Sequence, residues 1–314
     1  MEIVVLDGYI ANPGDLSWAA LEKIGHLTVY ERTAPDEIVE RARSAEAVFV
    51  NKVVLDEAVL EKLPRLKFIG VLATGYNNID INAAHHRGIV VCNVPAYSTD
   101  SVAQTVFALL LEITNRVGQY SALVEDGEWA RSKDFSFTIG PISELAGLTM
   151  GIYGLGNIGK KVAQIAEAFG MRVISPTSQA VPPGGVEKVN FDEFLQLSDV
   201  ISINAPLTAA NHHLFDSQTF AKMRRGVIVI NTARGPLIDE AALAESLRSG
   251  QVGAAGLDVL EHEPPRNGSP LIGAPNCFIT PHVAWQSTAA RRRLIEISAE
   301  NLAAFLNGSP QNIV

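Results

Sequence analysis

Short apolar runs recur along the chain, and most are followed by a stretch in which apolar positions return every three or four residues. The runs "IVVL" (3–6), "AVFV" (47–50), "LKFIGVL" (66–72) and "IVVCN" (89–93) predict strands. "SWAALEKIG" (17–25) and "LDEAVLEKL" (55–63) predict the helices between them. Continuous apolar strands alternating with amphipathic helices indicate a parallel sheet covered on both faces. "NVPAYSTDS" (93–101) then supplies turn and helix-capping residues, and a long helix is predicted over 99–117, with Val102, Val106, Leu109, Leu110 and Ile113 on one face.

A second series begins at "GLTMGIYGLGNIGKKVAQIAEAFG", which reads strand, tight turn, helix. Further strands are predicted at 171–175, 200–204, 226–231, 253–259 and 277–280, and a last amphipathic helix over 288–306. Only this second series carries a phosphate-binding signature. The pattern therefore predicts two α/β domains with boundaries near 96 and 286, the two long helices crossing between them. A cleft between such domains is a common ligand site.

Composition narrows the class. The chain has 314 residues, enough for two domains, and is 47% hydrophobic and 19% charged, as globular proteins are. Its net charge is −9, and no basic stripe suits nucleic acid. Arg291, Arg292 and Arg293 read as a solvated helix face. Two cysteines, Cys92 and Cys277, make no disulfide framework and fit a reducing cytoplasm. The opening "MEIVVLDGYI" reads as a strand rather than a targeting segment. The longest apolar stretch, Val102 to Ile113, is interrupted by Gln104, Thr105 and Glu112, too short and polar to span a membrane.

"GIYGLGNIG" places Gly154, Gly156 and Gly159 in G-x-G-x-x-G spacing between a strand and a helix. Such glycines allow a tight turn, close approach of backbone to a pyrophosphate, and close helix–strand packing; Asn157 and Ile158 would present amides to the phosphates. An acid is expected at the end of the next strand to hold the ribose of NAD. Thr177 stands there instead, followed by Ser178 and Gln179. Nothing at that point repels the 2′-phosphate of NADP, and no arginine binds it, so NAD and NADP both remain open.

Three later strand ends carry reactive groups: Arg234 in "VIVINTARG", Glu261, His262 and Glu263 in "GLDVLEHEPP", and His282 in "CFITPHVAW". Ligands sit at the carboxyl ends of strands in open α/β sheets. A planar guanidinium can hold both the carboxylate and the keto oxygen of a 2-oxo acid. A histidine can give its proton to that oxygen as hydride arrives at carbon. A carboxylate beside the histidine favours its charged form and fixes which ring nitrogen faces the substrate; Glu263 is preferred over Glu261 because the "EPP" turn would fix its direction. The bland alternative is a core histidine and an Arg–Glu surface pair.

Together "GLTMGIYGLGNIG", "NAPLT", "VIVINTARGPLIDEAAL", "GLDVLEHEPP" and "ITPHVAW" resemble the D-2-hydroxyacid dehydrogenase family over nearly the whole chain. "NPGDLSW", "NKVVLDEAVL", "VLATGYNNID", "NVPAYSTDSVAQ" and "HVAWQS" make it most similar to the glycerate dehydrogenase (hydroxypyruvate reductase) branch. The resemblance implies an α/β fold of two doubly wound domains, a Rossmann-type dinucleotide-binding domain (97–286) inserted in a flavodoxin-like substrate domain (1–96 plus 287–314). It implies catalysis by Arg234, Glu263 and His282. Substrate carboxylate would be bound by amides at Ala73, Thr74 and Gly75, with Lys52 as a further contact. Asp258 would hold the nicotinamide carboxamide, Thr232 and Ala233 would line the nicotinamide, and Ala205 and Pro206 the adenosine side. Family members are usually homodimers. Thr177, Gln104 and Asn204 depart from the common family residues.

The implied activity is NAD(P)-dependent reduction of a small 2-oxo acid to the D-2-hydroxy acid, with hydroxypyruvate/D-glycerate first and glyoxylate/glycolate second. Alternatives are a nucleotide-sensing protein resembling corepressors of this fold, or a dehydrogenase for another small acid such as formate, which Glu263 disfavours because formate dehydrogenases place Gln there. The pairs His85–His86 and His212–His213 are expected on solvated surface, since neighbours on a helix diverge; without H-E-x-x-H or C-x-x-C no metal site is predicted. Trp18, Trp129 and Trp285 are expected to pack, Trp285 also shaping the pocket, and Tyr76 either touches substrate or caps its loop.

Overall fold

The computed structural model describes all 314 residues, which divide into two compact units: Met1–Ser98 with Trp285–Val314, and Thr99–Ala284. In the first, five parallel strands run β1 (Glu2–Val5), β2 (His26–Val29), β3 (Ala47–Val50), β4 (Phe68–Val71) and β5 (Val90–Cys92), in the spatial order β2-β1-β3-β4-β5. This is the flavodoxin-like order. Side chains alternate between two buried layers. Val4, Val48, Val50, Ile69 and Val71 fill one, and Ile3, Val5, Ala47, Phe49 and Phe68 the other, the latter closed by Leu294 and Leu302 of helix Thr288–Leu306. Burial on both faces explains why these strands read as unbroken apolar runs.

The second unit holds seven parallel strands: β6 (Thr149–Tyr153), β7 (Arg172–Ser175), β8 (Glu187–Lys188), β9 (Val200–Ile203), β10 (Val227–Asn231), β11 (Val252–Leu257) and β12 (Cys277–Ile279). Their order is β12-β11-β10-β9-β6-β7-β8, which is the Rossmann order with one strand added beyond β11. The order reverses between β6 and β9. The two cores again lie on opposite faces, with Ile201, Ile203, Val229 and Leu257 in one and Met150, Ile152, Val200 and Ile230 in the other.

Several expectations need correction. The long helix stops at Asn115, because Arg116 takes a left-handed conformation (φ 54°), and Val117–Glu125 starts anew. Helix Thr99–Asn115 belongs to the second unit and helix Thr288–Leu306 to the first. The helices expected over 17–25 and 55–63 shrink to Ala19–Glu22 and Glu57–Leu60. Arg291 is not solvated: it is 7% exposed, its fork bonded to both oxygens of Asp15 at 2.8 and 2.7 Å. Those hydrogen bonds hold the Asp15 carboxyl below the usual carboxylate range. Trp129 is 52% exposed rather than packed, whereas Trp285 meets Tyr97 edge-on in the first unit's core. No helix is long and apolar enough to cross a membrane.

Candidate active site

The glycine-rich turn leaves β6 at the point where strand order reverses. Gly154 has φ +97°, and a Cβ there would stand 2.5 Å from the Ala205 nitrogen, just past β9. Gly159, in the first turn of helix Asn157–Ala168, would put a Cβ 2.1 Å from the Gly154 carbonyl oxygen. Both positions therefore demand glycine. Gly156 differs: a Cβ there meets nothing within 4 Å, so the backbone borders open space. Gly156 caps the helix with no side-chain hydrogen bond, so no side chain claims the amides of the first turn, Asn157 and Ile158 included. An uncapped helix N-terminus beside open space can hold a phosphate.

Three neighbouring strand ends hold the reactive groups. Arg234 follows β10 as an exposed side chain whose Nη1 donates to the Ala233 carbonyl at 2.7 Å. Gly235 then packs so closely that a Cβ would lie 2.0 Å from the carbonyl carbon of Leu260. That contact sets the arginine turn against the segment after β11. In that segment Glu263 turns back, and its Oε1 accepts from the Leu260 N–H at 2.9 Å. This amide holds the carboxylate in place. Its Oε2 lies 2.5 Å from His282 Nδ1. With Nδ1 bound to the carboxylate, Nε2 is the ring atom left to exchange a proton with a ligand.

His282 sits in a left-handed conformation (φ 56°), uncommon for a residue with a side chain. Asp258, 1% exposed at the end of β11, holds it there. Its backbone carbonyl accepts the His282 N–H at 2.8 Å. Its Oδ1 accepts from the Thr280 hydroxyl (2.6 Å) and the Val283 N–H (2.9 Å), and its Oδ2 from the Ala284 N–H (2.9 Å). Burial pushes the Asp258 carboxyl above its ordinary range, against the pull of these donors. These bonds tie the Asp258 carboxylate to the loop that presents the histidine, a second role beside the carboxamide contact that the family resemblance implies.

Residues 107–284 match the family described as D-isomer specific 2-hydroxyacid dehydrogenase, NAD binding domain. The chain belongs to this family. It is 45% identical over 320 residues to a hydroxypyruvate reductase of Blautia hydrogenotrophica, covering 100% of this chain and 99% of that protein. It is 41% identical over 288 residues to a glycerate dehydrogenase of Methylorubrum extorquens, covering 91% and 90%. Among solved structures, an acyclic imino acid reductase in complex with NADPH and D-Arg superposes with a TM-score of 0.88 at 31% identity, covering both chains fully.

As a D-2-hydroxyacid dehydrogenase the chain is an oxidoreductase acting on CH–OH with a nicotinamide dinucleotide. Its own residues fit that cofactor. Besides the open space at Gly156, two buried polar atoms beyond β9 and β10, Asn204 Oδ1 and Thr232 Oγ1, have no hydrogen-bond partner. A buried polar atom left unpaired is costly, and a bound ligand can satisfy it. Ala205 is buried and Pro206 exposed just beyond, and Ala233 is half-buried after Thr232. Asn204, which departs from the common family residue, carries one of these unpaired oxygens.

Thr177 lies two residues beyond β7, its hydroxyl accepting the Gln179 N–H at 3.2 Å. Gln179 Nε2 donates to the Leu155 carbonyl at 3.2 Å, tying this loop to the glycine turn. Lys188 Nζ donates to the Gln179 carbonyl at 3.0 Å. No arginine stands in the loop, but a cation comes to it from β8, a strand too short to read from sequence.

In the first unit, Asp7 anchors the expected substrate residue Lys52: its carboxylate accepts the N–H groups of Asn51, Lys52 and Val53 at 2.7, 2.5 and 2.9 Å. Ala73, Thr74 and Gly75 follow β4 in a loop held by the Thr74 hydroxyl on the Val94 carbonyl (2.9 Å) and by Asn93 Nδ2 on the Thr74 carbonyl (2.7 Å). Tyr76 is 41% exposed.

Proposed function

We propose that the protein reduces hydroxypyruvate to D-glycerate, and glyoxylate to glycolate, with NADH or NADPH. The observation that carries the reading is the His282–Glu263 pair, 2.5 Å apart, with the far carboxylate oxygen fixed on Leu260. The names of two full-length relatives, a hydroxypyruvate reductase and a glycerate dehydrogenase, support the substrate class.

When bound, the nicotinamide supplies hydride to the keto carbon. His282 gives a proton from Nε2 to the keto oxygen and takes it back in the oxidation direction. Glu263 holds the ring by Nδ1 and balances the imidazolium charge. Arg234 grips and polarises the 2-oxo acid through its planar fork. Amides at Ala73, Thr74 and Gly75, with Lys52, bind the substrate carboxylate. Gly154, Gly156, Asn157, Ile158 and Gly159 hold the pyrophosphate, Ala205 and Pro206 border the adenosine, and Thr232 and Ala233 the nicotinamide. Asp258 positions the His282 loop, and only a remaining lone pair is free for a carboxamide. The reading includes a cytoplasmic location and a homodimer, the latter checked by light scattering on the purified chain.

The test is a two-by-two kinetic comparison of hydroxypyruvate and glyoxylate, each with NADH and NADPH. Turnover of hydroxypyruvate at the higher kcat/KM is expected. Tight cofactor binding with no oxidation by either acid would replace this reading with the nucleotide-sensing one.

A further inference from the structure

The second unit carries a group of ligating side chains outside the catalytic set. His212, His213 and Glu261 bring one donor atom each within 4.8 Å of one another. The sequence placed the two histidines on a helix, where neighbours diverge. They lie instead after a 3-10 turn, Ala209–Asn211, with His212 extended (φ −61°, ψ 126°) and His213 left-handed (φ 50°). That change of backbone sense brings consecutive rings together, their centroids 4.1 Å apart and their planes 35° from parallel.

We propose that His212, His213 and Glu261 form a binding site for a divalent transition-metal ion of the Zn²⁺ and Ni²⁺ class. Two imidazoles and a carboxylate suit borderline ions of this kind, and three protein ligands leave a further position for water. In a tetrahedral site with bonds of about 2.0–2.1 Å, neighbouring donors stand about 3.3 Å apart. His213 Nε2 and Glu261 Oε1 are already 3.2 Å apart. Only His212 must close in, and it is the exposed member of the three.

The framework of the site is fixed before any ion arrives. The His213 N–H donates to the Pro236 carbonyl at 2.8 Å, and the adjoining Phe215 is fully buried. The Glu261 N–H donates to Glu240 Oε1 at 2.8 Å, and Glu240 Oε2 accepts from the Ser269 hydroxyl. Glu240 thus fixes the backbone from which the Glu261 carboxylate projects. The ion would clamp the turn that follows Arg234 to the segment that carries Glu263. The proposal does not depend on the substrate reading, because its test measures metal binding directly.

Tag-free, chelator-stripped full-length protein is titrated with Zn²⁺ and Ni²⁺ by calorimetry, and with Co²⁺ by visible absorption. We expect one equivalent per chain and Co²⁺ bands showing nitrogen ligation. Glu261→Gln and His213→Ala should each weaken binding by about tenfold or more, while a His85→Ala/His86→Ala double variant binds as the parent does. Glu261→Gln keeps the size of the side chain, so it remains informative if His213→Ala fails to fold. Absence of saturable binding, or parental affinity in Glu261→Gln, would overturn the proposal; in the latter case His213–Glu261 is an ion pair only.

Discussion

Asp258 holds His282 directly and through the residues on either side of it. The Asp258 carbonyl takes the His282 N–H at 2.8 Å, and its carboxylate takes the next two amides, Val283 and Ala284, along with the Thr280 hydroxyl. Replacing the carboxylate by an amide turns one acceptor into a donor that faces an N–H. Asp258→Asn should therefore destabilise the chain by about 1–3 kcal/mol. For a unit of this size that lowers Tm by roughly 2–4 °C per kcal/mol. Activity should fall further than the stability loss explains, because the loop holding His282 loosens. Thermal unfolding and kcat at a temperature where the variant stays folded separate the two effects; a variant with parental Tm and kcat would show that Asp258 is not the anchor.

The His282–Glu263 pair makes a sharper demand. His282→Ala should lose about 10²–10⁴-fold in kcat, while Kd for the dinucleotide stays near the parental value. Glu263→Gln can keep its bond to Leu260 but presents an amide to Nδ1, and we expect a smaller loss, about 10–100-fold. Arg234→Lys retains the charge and loses the fork. It should cost on the order of 2–4 kcal/mol in kcat/KM, shared between a raised KM for the 2-oxo acid and a lowered kcat. Unchanged kcat/KM in any of the three would refute the role assigned to that residue.

Much of this was legible in advance, and each miss has a physical cause. Fully buried strands such as Ala47–Val50 and Val200–Ile203 announce themselves, because parallel strands covered on both faces are apolar throughout. β2 escaped notice because its edge position leaves His26 and Val29 exposed. The reactive groups at strand ends could be named from their residue types and spacing. What could not be read was which distant partner each group finds. Arg291 looked solvated because Asp15 lies 276 positions away. That Asp258 also holds the His282 loop was hidden because its partners come 22 to 26 residues later. The paired histidines misled for a local reason: one left-handed residue, His213, reverses the rule that helical neighbours diverge.

Cys92 is buried and Cys277 half-buried, both away from charge partners that would favour a thiolate. Burial pushes the Cys92 thiol up to about 11 and the Cys277 thiol up to about 12. At pH 8 the native thiolate fractions are then about 10⁻³ and 10⁻⁴, so labelling by a disulfide reagent should be over 100-fold slower than in denaturant. Both folded values lie above the unfolded one. The native state thus holds protons that the unfolded state releases, and stability falls as pH rises from about 8.5 toward 11. At pH 10 the loss should be roughly 1–2 kcal/mol per cysteine, and Cys92→Ala should remove its share. Rapid stoichiometric labelling at pH 8, or a denaturation midpoint that is flat between pH 8 and 10 in both proteins, would contradict the burial argument.

On the proposed reading, cofactor choice turns on the loop after β7. Thr177 offers a hydroxyl where an acid would hold the ribose and repel a 2′-phosphate, and Gln179 ties that loop to Leu155 of the glycine turn. Lys188, bonded to the Gln179 carbonyl at 3.0 Å, is an exposed cation that can swing to a phosphate. The parent should therefore accept NADPH as well as NADH. Thr177→Asp restores the acid, and it should lower kcat/KM for NADPH by at least about tenfold, or 1.4 kcal/mol, with little change for NADH. Lys188→Ala should raise KM for NADPH more than for NADH, and more so at low salt, where charge attraction is least screened. If Thr177→Asp leaves the NADPH to NADH ratio unchanged, the ribose does not lie at Thr177. If only Lys188→Ala is silent, Thr177 alone sets the preference.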